Sequence, residues 1–77
     1  MTRTYNQLLL AVDGNKSELA RQLGVPRAQI SHFEERGYID EKYALAAGRM
    51  AEQFGVARAM DFAGQVLIEA EKVRSCR

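Results

Sequence analysis

An all-α fold, a compact bundle of four to five short helices, is predicted by three observations on the 77-residue sequence. Apolar residues recur at helical spacing in separate stretches, residues that start and stop helices bracket those stretches, and no alternating pattern long enough for a strand interrupts them. The length supports one domain, near the size at which a single core supplies only about 3–5 kcal/mol, so self-association is expected from size alone.

In order, Thr4 and Gln7 stand at capping-box spacing, and Tyr5, Leu8, Leu9 and Val12 share the inward face of a first helix that Asp13-Gly14 ends. Asn15 and Glu18 form a second capping box, so another helix begins near Lys16 with Leu19, Ala20 and Leu23 inward. Gly24 stands where that helix must stop in a left-handed conformation. Pro26, with its φ already helical, lets a third helix begin directly, with Pro26, Ile30 and Phe33 facing inward. Asp40 is positioned to cap a fourth helix, whose face is Tyr43, Ala46, Ala47, Met50 and Phe54 and whose stop is Gly55. A fifth runs from Arg58 to about Arg74 without a clear cap.

In that last helix Ala59, Ala63, Val66, Ala70 and Val73 alternate spacings of four and three, a short heptad-like seam of small residues with Phe62 and Leu67 beside it and Met60 widening the face. Two readings stand. Phe62 and Val66 close the core over the first helix, or the seam packs against its own copy across a two-fold axis. The second makes Ala59, Phe62, Ala63, Val66, Ala70 and Val73 the expected dimer interface.

Composition narrows the function classes. A hydrophobic fraction of 47% with 27% charged residues is that of a globular domain, and no apolar run approaches the roughly 20 residues that span a bilayer. Leu8 to Val12 is too short for a signal peptide, so no membrane association and a cytoplasmic location are expected. The single cysteine, Cys76, has no partner for an internal disulfide. The lone histidine, His32, stands without a nucleophile or a chelating neighbour, so neither an enzyme, a metal site nor a cofactor is expected. A net charge of +1 falls short of the basic balance of many nucleic-acid binders, and any phosphate affinity must come from local placement.

Leu19, Ala20, Leu23, Gly24, Val25, Ile30 and Phe33 nevertheless stand at the spacings of the small phage-type Cro/repressor helix-turn-helix proteins, and Gly37-Tyr38-Ile39 followed by a helix resembles what comes next in Cro-like members. The resemblance covers roughly Tyr5 to Phe54. It implies a helix-turn-helix DNA-binding domain over residues 1–55, with the C-terminal helix of 56–77 dimerising or closing the core as part of the same domain. The implied function is that of a Cro-like phage or prophage repressor, a transcriptional regulator bound as a homodimer to a (pseudo)palindromic operator in double-stranded DNA. No small-molecule ligand is implied.

On this resemblance the N-terminal part of the third helix meets the major groove. Arg27 is the leading base contact, to guanine O6 and N7. Ala28 fits a thymine methyl, Gln29 an adenine or a phosphate, and Ser31 and His32 base edges or phosphates. Lys16 stands where the family often has a glutamine that bonds phosphate and braces the recognition helix; lysine keeps the phosphate role but cannot brace in the same way. Glu34 and Glu35 are expected to splay toward solvent near Arg36. The rival reading is a protein-interaction module on the same scaffold, such as an antitoxin-like or antirepressor subunit, which the near-neutral charge favours.

Overall fold

Each helix ends where the chain can reverse. In the computed structural model, which describes residues 3–75, these reversals separate α1 (Thr4–Ala11), α2 (Lys16–Leu23), α3 (Arg27–Arg36), a single 3-10 turn (Glu41–Tyr43), α4 (Ala44–Gln53) and α5 (Ala59–Ser75). No strand occurs among the described residues. After α1, α2 and α4 the same hydrogen bond closes the end: an N–H two or three residues past the helix donates back to a carbonyl five residues earlier, as Gly14 to Leu9 (2.8 Å), Val25 to Ala20 (3.0 Å) and Val56 to Ala51 (2.8 Å). Such closures satisfy carbonyls that a bare helix end leaves orphaned. Asp40 accepts from the Lys42 amide at 3.2 Å, so it caps the 3-10 turn rather than α4 itself.

One core joins all five helices. Leu8 of α1, Leu19 of α2, Ile30 and Phe33 of α3, Ile39, Met50 of α4 and Val66 of α5 are sealed from solvent. Phe33 lies between two tyrosines in edge-to-face contact, with ring centroids 6.5 Å from Tyr5 and 5.6 Å from Tyr43. Tyr43 and Ala46 pack on the rim of this core, but Phe54 lies at the α4 terminus, where the chain turns away toward Gly55, and is exposed rather than inward.

The start of α1 departs from the capping box expected at Thr4 and Gln7. Arg3 is the N-cap and supplies no side-chain bond. Thr4 sits inside the first turn, buried, and donates from its hydroxyl to Glu69 Oε1 at 2.7 Å and from its amide to both Glu69 oxygens at 3.1 and 3.3 Å. A carboxylate from α5 therefore caps α1, at the end of the helix where the dipole favours negative charge.

The seam of α5 is corrected by its burial. Phe62, Ala63, Val66 and Ala70 are buried inside the protomer, so their atoms are not available to a second copy; Ala59 and Val73 are half-buried. The reason is the approach of α4 to α5. A Cβ on Gly48 would meet the Ala59 carbonyl oxygen and lie 3.3 Å from the Ala63 Cβ, so glycine and alanines face each other across a contact that only small residues permit. What α5 leaves outside is Met60, Leu67 and Ile68. No helix among the described residues is long and apolar enough to cross a membrane. Cys76 lies outside the described residues.

Candidate nucleic-acid interface

The outward side of α2 and α3 is built from local rules. Asn15 Oδ1 accepts the Glu18 amide at 3.1 Å and starts α2. The return half of the capping box is not made. Instead the Glu18 carboxylate accepts from Arg21 Nη2 (2.6 Å), Arg21 Nε (2.9 Å) and Gln22 Nε2 (3.1 Å). These bonds, Arg21 first and Gln22 next, hold its carboxyl below the usual value of 4.5. A depressed carboxyl stabilises the fold above its unfolded value, and that contribution fades as pH falls through the folded one.

The connection from α2 to α3 is Gly24-Val25-Pro26. Gly24 is left-handed at φ 71°, and Val25 turns inward and is buried. A Cβ on Gly24 meets no atom within 4 Å, so substitution there is resisted by the backbone alone. Gly24→Val is expected to cost on the order of 1–2 kcal/mol in thermal melts, because a β-branched residue resists φ > 0. Pro26 is exposed rather than inward and is the N-cap, not the first helical residue: its φ of −62° is helical but its ψ of 150° is extended. The turn is fixed from below by Leu19, Ala20, Leu23, Ile30 and Phe33, all buried.

Arg27, Ala28, Ser31, His32 and Glu35 share the exposed side of α3, with Gln29 half-buried at its edge. Arg27 Nη1 donates to Ser31 Oγ at 3.4 Å, one turn along. Pro26 gives the first turn no side-chain acceptor; the Gln29 amide donates to the Pro26 carbonyl at 2.9 Å, and a helix start without a side-chain cap is the kind of site at which helix N-termini take anions.

The charges on this side differ from expectation. Glu34 does not splay toward solvent; it pairs with Lys16 across the α2–α3 crossing, both half-exposed. Lys16 thereby does brace α3, through an ion pair. Arg21 pairs with Glu18, and Arg36 approaches Asp40 at 3.8 Å. Of the four basic residues from Lys16 to Arg36, Arg27 alone has no carboxylate partner among the described residues.

Tyr5 is a group that sequence reasoning assigned only to the core, and the charges of Glu34 and Arg27 reach it. The Tyr5 hydroxyl is buried and has no hydrogen-bond partner. Burial pushes its phenol above the ordinary 10.0, the Glu34 charge adds to the rise and Arg27 opposes it. Since the folded value lies above the unfolded one, the neutral phenol favours the fold up to about pH 10, and that advantage is lost as pH rises further. Glu69, the α1 cap, was likewise missed: its partner is 65 residues away, and nothing local in the sequence signals the contact.

Among the described residues no three His, Cys, Asp or Glu side chains converge on a point where a metal ion would sit. Compared with protein families, curated proteins and solved structures, the chain matches none.

Proposed function

We propose that this chain is a sequence-specific DNA-binding transcriptional regulator that reads the major groove with the exposed side of α3 and acts as a homodimer. The observation that carries the reading is the start of α3: an uncapped helix N-terminus presents Arg27, Ala28, Ser31 and His32 outward, on a turn locked by Gly24 and by the buried side chains beneath it. Arginine there can fork onto guanine O6 and N7, and small or hydroxyl side chains one turn on leave room for the bases. The resemblance of the seven apolar and glycine positions supports a Cro-like repressor of phage or prophage type. Two copies are part of the proposal because half-sites one DNA turn apart double the contacts; Met60, Leu67 and Ile68 are the apolar side chains of α5 left for a subunit contact.

Fluorescence anisotropy on duplexes selected from a random pool tests the reading. Arg27→Ala is expected to cost about 1–3 kcal/mol and to relax preference at one base pair, while Lys16→Ala weakens all sequences alike. Equal loss on every sequence for Arg27→Ala would make its role electrostatic only.

A second reading, a module that binds another protein, is favoured by two observations: three of the four α2–α3 cations are already paired, and Met60 stands 75% exposed. Salt separates the two. DNA binding weakens steeply as salt rises through counterion release; an apolar protein contact does not.

A further inference from the structure

We propose that the outward face of α5 is where two copies of this chain meet, crossing antiparallel with Ile68 of each copy seated over Gly64 of the other; the contact rests on the homodimer reading above and gives it a geometry. This face is opposite the alanine and valine seam, which the protomer core has already used.

Among the described residues two glycines lie inside helices, and only one has a reason within the protomer. Gly48 is required by the Ala59 carbonyl, which a Cβ would strike. Gly64 stands within the 17-residue α5 without a positive φ, and a Cβ there would meet nothing within 4 Å. Glycine weakens a helix interior relative to alanine, and here neither a left-handed turn nor a close neighbour accounts for it. What a bare position on a helix face does allow is the close approach of another group. At about 100° per residue Gly64 and Ile68 flank the line opposite the buried Val66, and Met60 and Leu67 border them. The notch is therefore set among exposed apolar side chains.

The charges on the flank of this stripe select a second copy as its cover. Asp61 and Lys72 are exposed, neither has an ion-pair partner among the described residues, and they lie about 20° apart around the helix, on one edge of the stripe. In a two-fold contact residue i meets j and j meets i. Seating Ile68 over Gly64 in both directions puts the axis midway between them. In an antiparallel crossing that register brings Asp61 within one residue's rise, about 1.5 Å along the axis, of Lys72 of the second copy. Glu71 falls level with Asp61 but about 80° round, on the other edge beside Met60. One register thus fills the notch, covers Met60 and joins two pairs of opposite charges. A parallel crossing would set Asp61 against Asp61 and Lys72 against Lys72.

Sedimentation equilibrium, with circular dichroism on the same samples, tests the contact. Gly64→Leu should keep its helix and melt no lower at high dilution, since leucine is the better helix former and the space around it is open. It should nevertheless weaken association by about ten-fold or more, because the two backbones no longer close on each other. Asp61→Lys and Lys72→Asp should each weaken association about five- to thirty-fold at low salt, two surface pairs being turned from attraction to repulsion. The loss should shrink as salt rises. An equimolar mixture of these two variants should associate as the wild type does, since each contact again joins opposite charges, and so should the chain carrying both changes. Undiminished association by Gly64→Leu moves the contact off this face and overturns the proposal, while the homodimer stands. No loss from either charge variant overturns the antiparallel register. A wild-type chain that stays monomeric throughout removes the homodimer and this contact together, and leaves the reading of DNA to the anisotropy measurement.

Discussion

Val66→Asp is expected to unfold the chain rather than to separate two folded copies. Val66 is sealed in the core where α5 crosses the rest of the bundle, and an aspartate there places an unpaired charge in an apolar interior. Changes of that kind belong to the small class that cost about 4 kcal/mol or more, against the roughly 3–5 kcal/mol that a single core of this size supplies. Circular dichroism should show loss of helix at room temperature. The contrast is Leu67→Asp on the next residue, 45% exposed, where a change of within about 0.5 kcal/mol is typical of surface substitutions. If Leu67→Asp leaves the melt unchanged but lowers the sedimentation coefficient, the outward side of α5 is the subunit contact. A folded, helical Val66→Asp would contradict the packing of α5 described above.

Glu69→Ala is the second large effect, and it acts through the start of α1. It strips the acceptor from the Thr4 hydroxyl and the Thr4 amide, both buried, and leaves α1 without a cap. Each buried donor left unsatisfied costs roughly 1–3 kcal/mol, and water entering the space vacated by the side chain recovers part of it, so a net loss of about 2–3 kcal/mol is expected. For a domain of this size that lowers the melting temperature by more than about 8 °C. Because Tyr5 of α1 packs edge-on to Phe33, and Arg3 Nη1 reaches the Gly37 carbonyl at 3.4 Å, loosening α1 also loosens the floor and the far end of α3. Hydrogen exchange should therefore rise in α1 and in the last turn of α3 together, while the Gly24 turn stays protected. Exchange confined to α1 would show that α3 holds its position without that support. Glu69→Gln, which keeps one acceptor, should recover much of the loss.

The places where the sequence was legible are those where the governing interaction is local. The stop at Gly24, the cap at Asn15 and the inward set Leu19, Ala20, Leu23, Ile30 and Phe33 follow from spacings within four residues, and the structure has each of them. Periodicity also identified the apolar side of α5, but not what it faces. A stripe of alanines and valines reads the same whether it packs on α4 or on a second chain, and only Gly48 across the gap, with no room for a Cβ, shows that the partner is internal. Pro26 was misread by a single dihedral: the ring fixes φ, which suits a first helical residue, but ψ is free, and its extended value makes the residue a cap.

Electrostatic pairing is where sequence reading stopped short. Glu34 belongs to Lys16, 18 positions away on another helix, and Glu69 belongs to Thr4 across nearly the whole chain. Neither spacing carries a signal, because charged side chains find partners through the crossing of helices and not through their own helix's repeat. The sequence by itself determined the helices, their stops and the exposed residues of α3, since backbone sterics and helical periodicity act within a few residues. The tertiary structure alone decided that α5 closes the core, that its carboxylate caps α1, and that Lys16 is already engaged, since each depends on how closely separate helices approach and on which groups that approach removes from water.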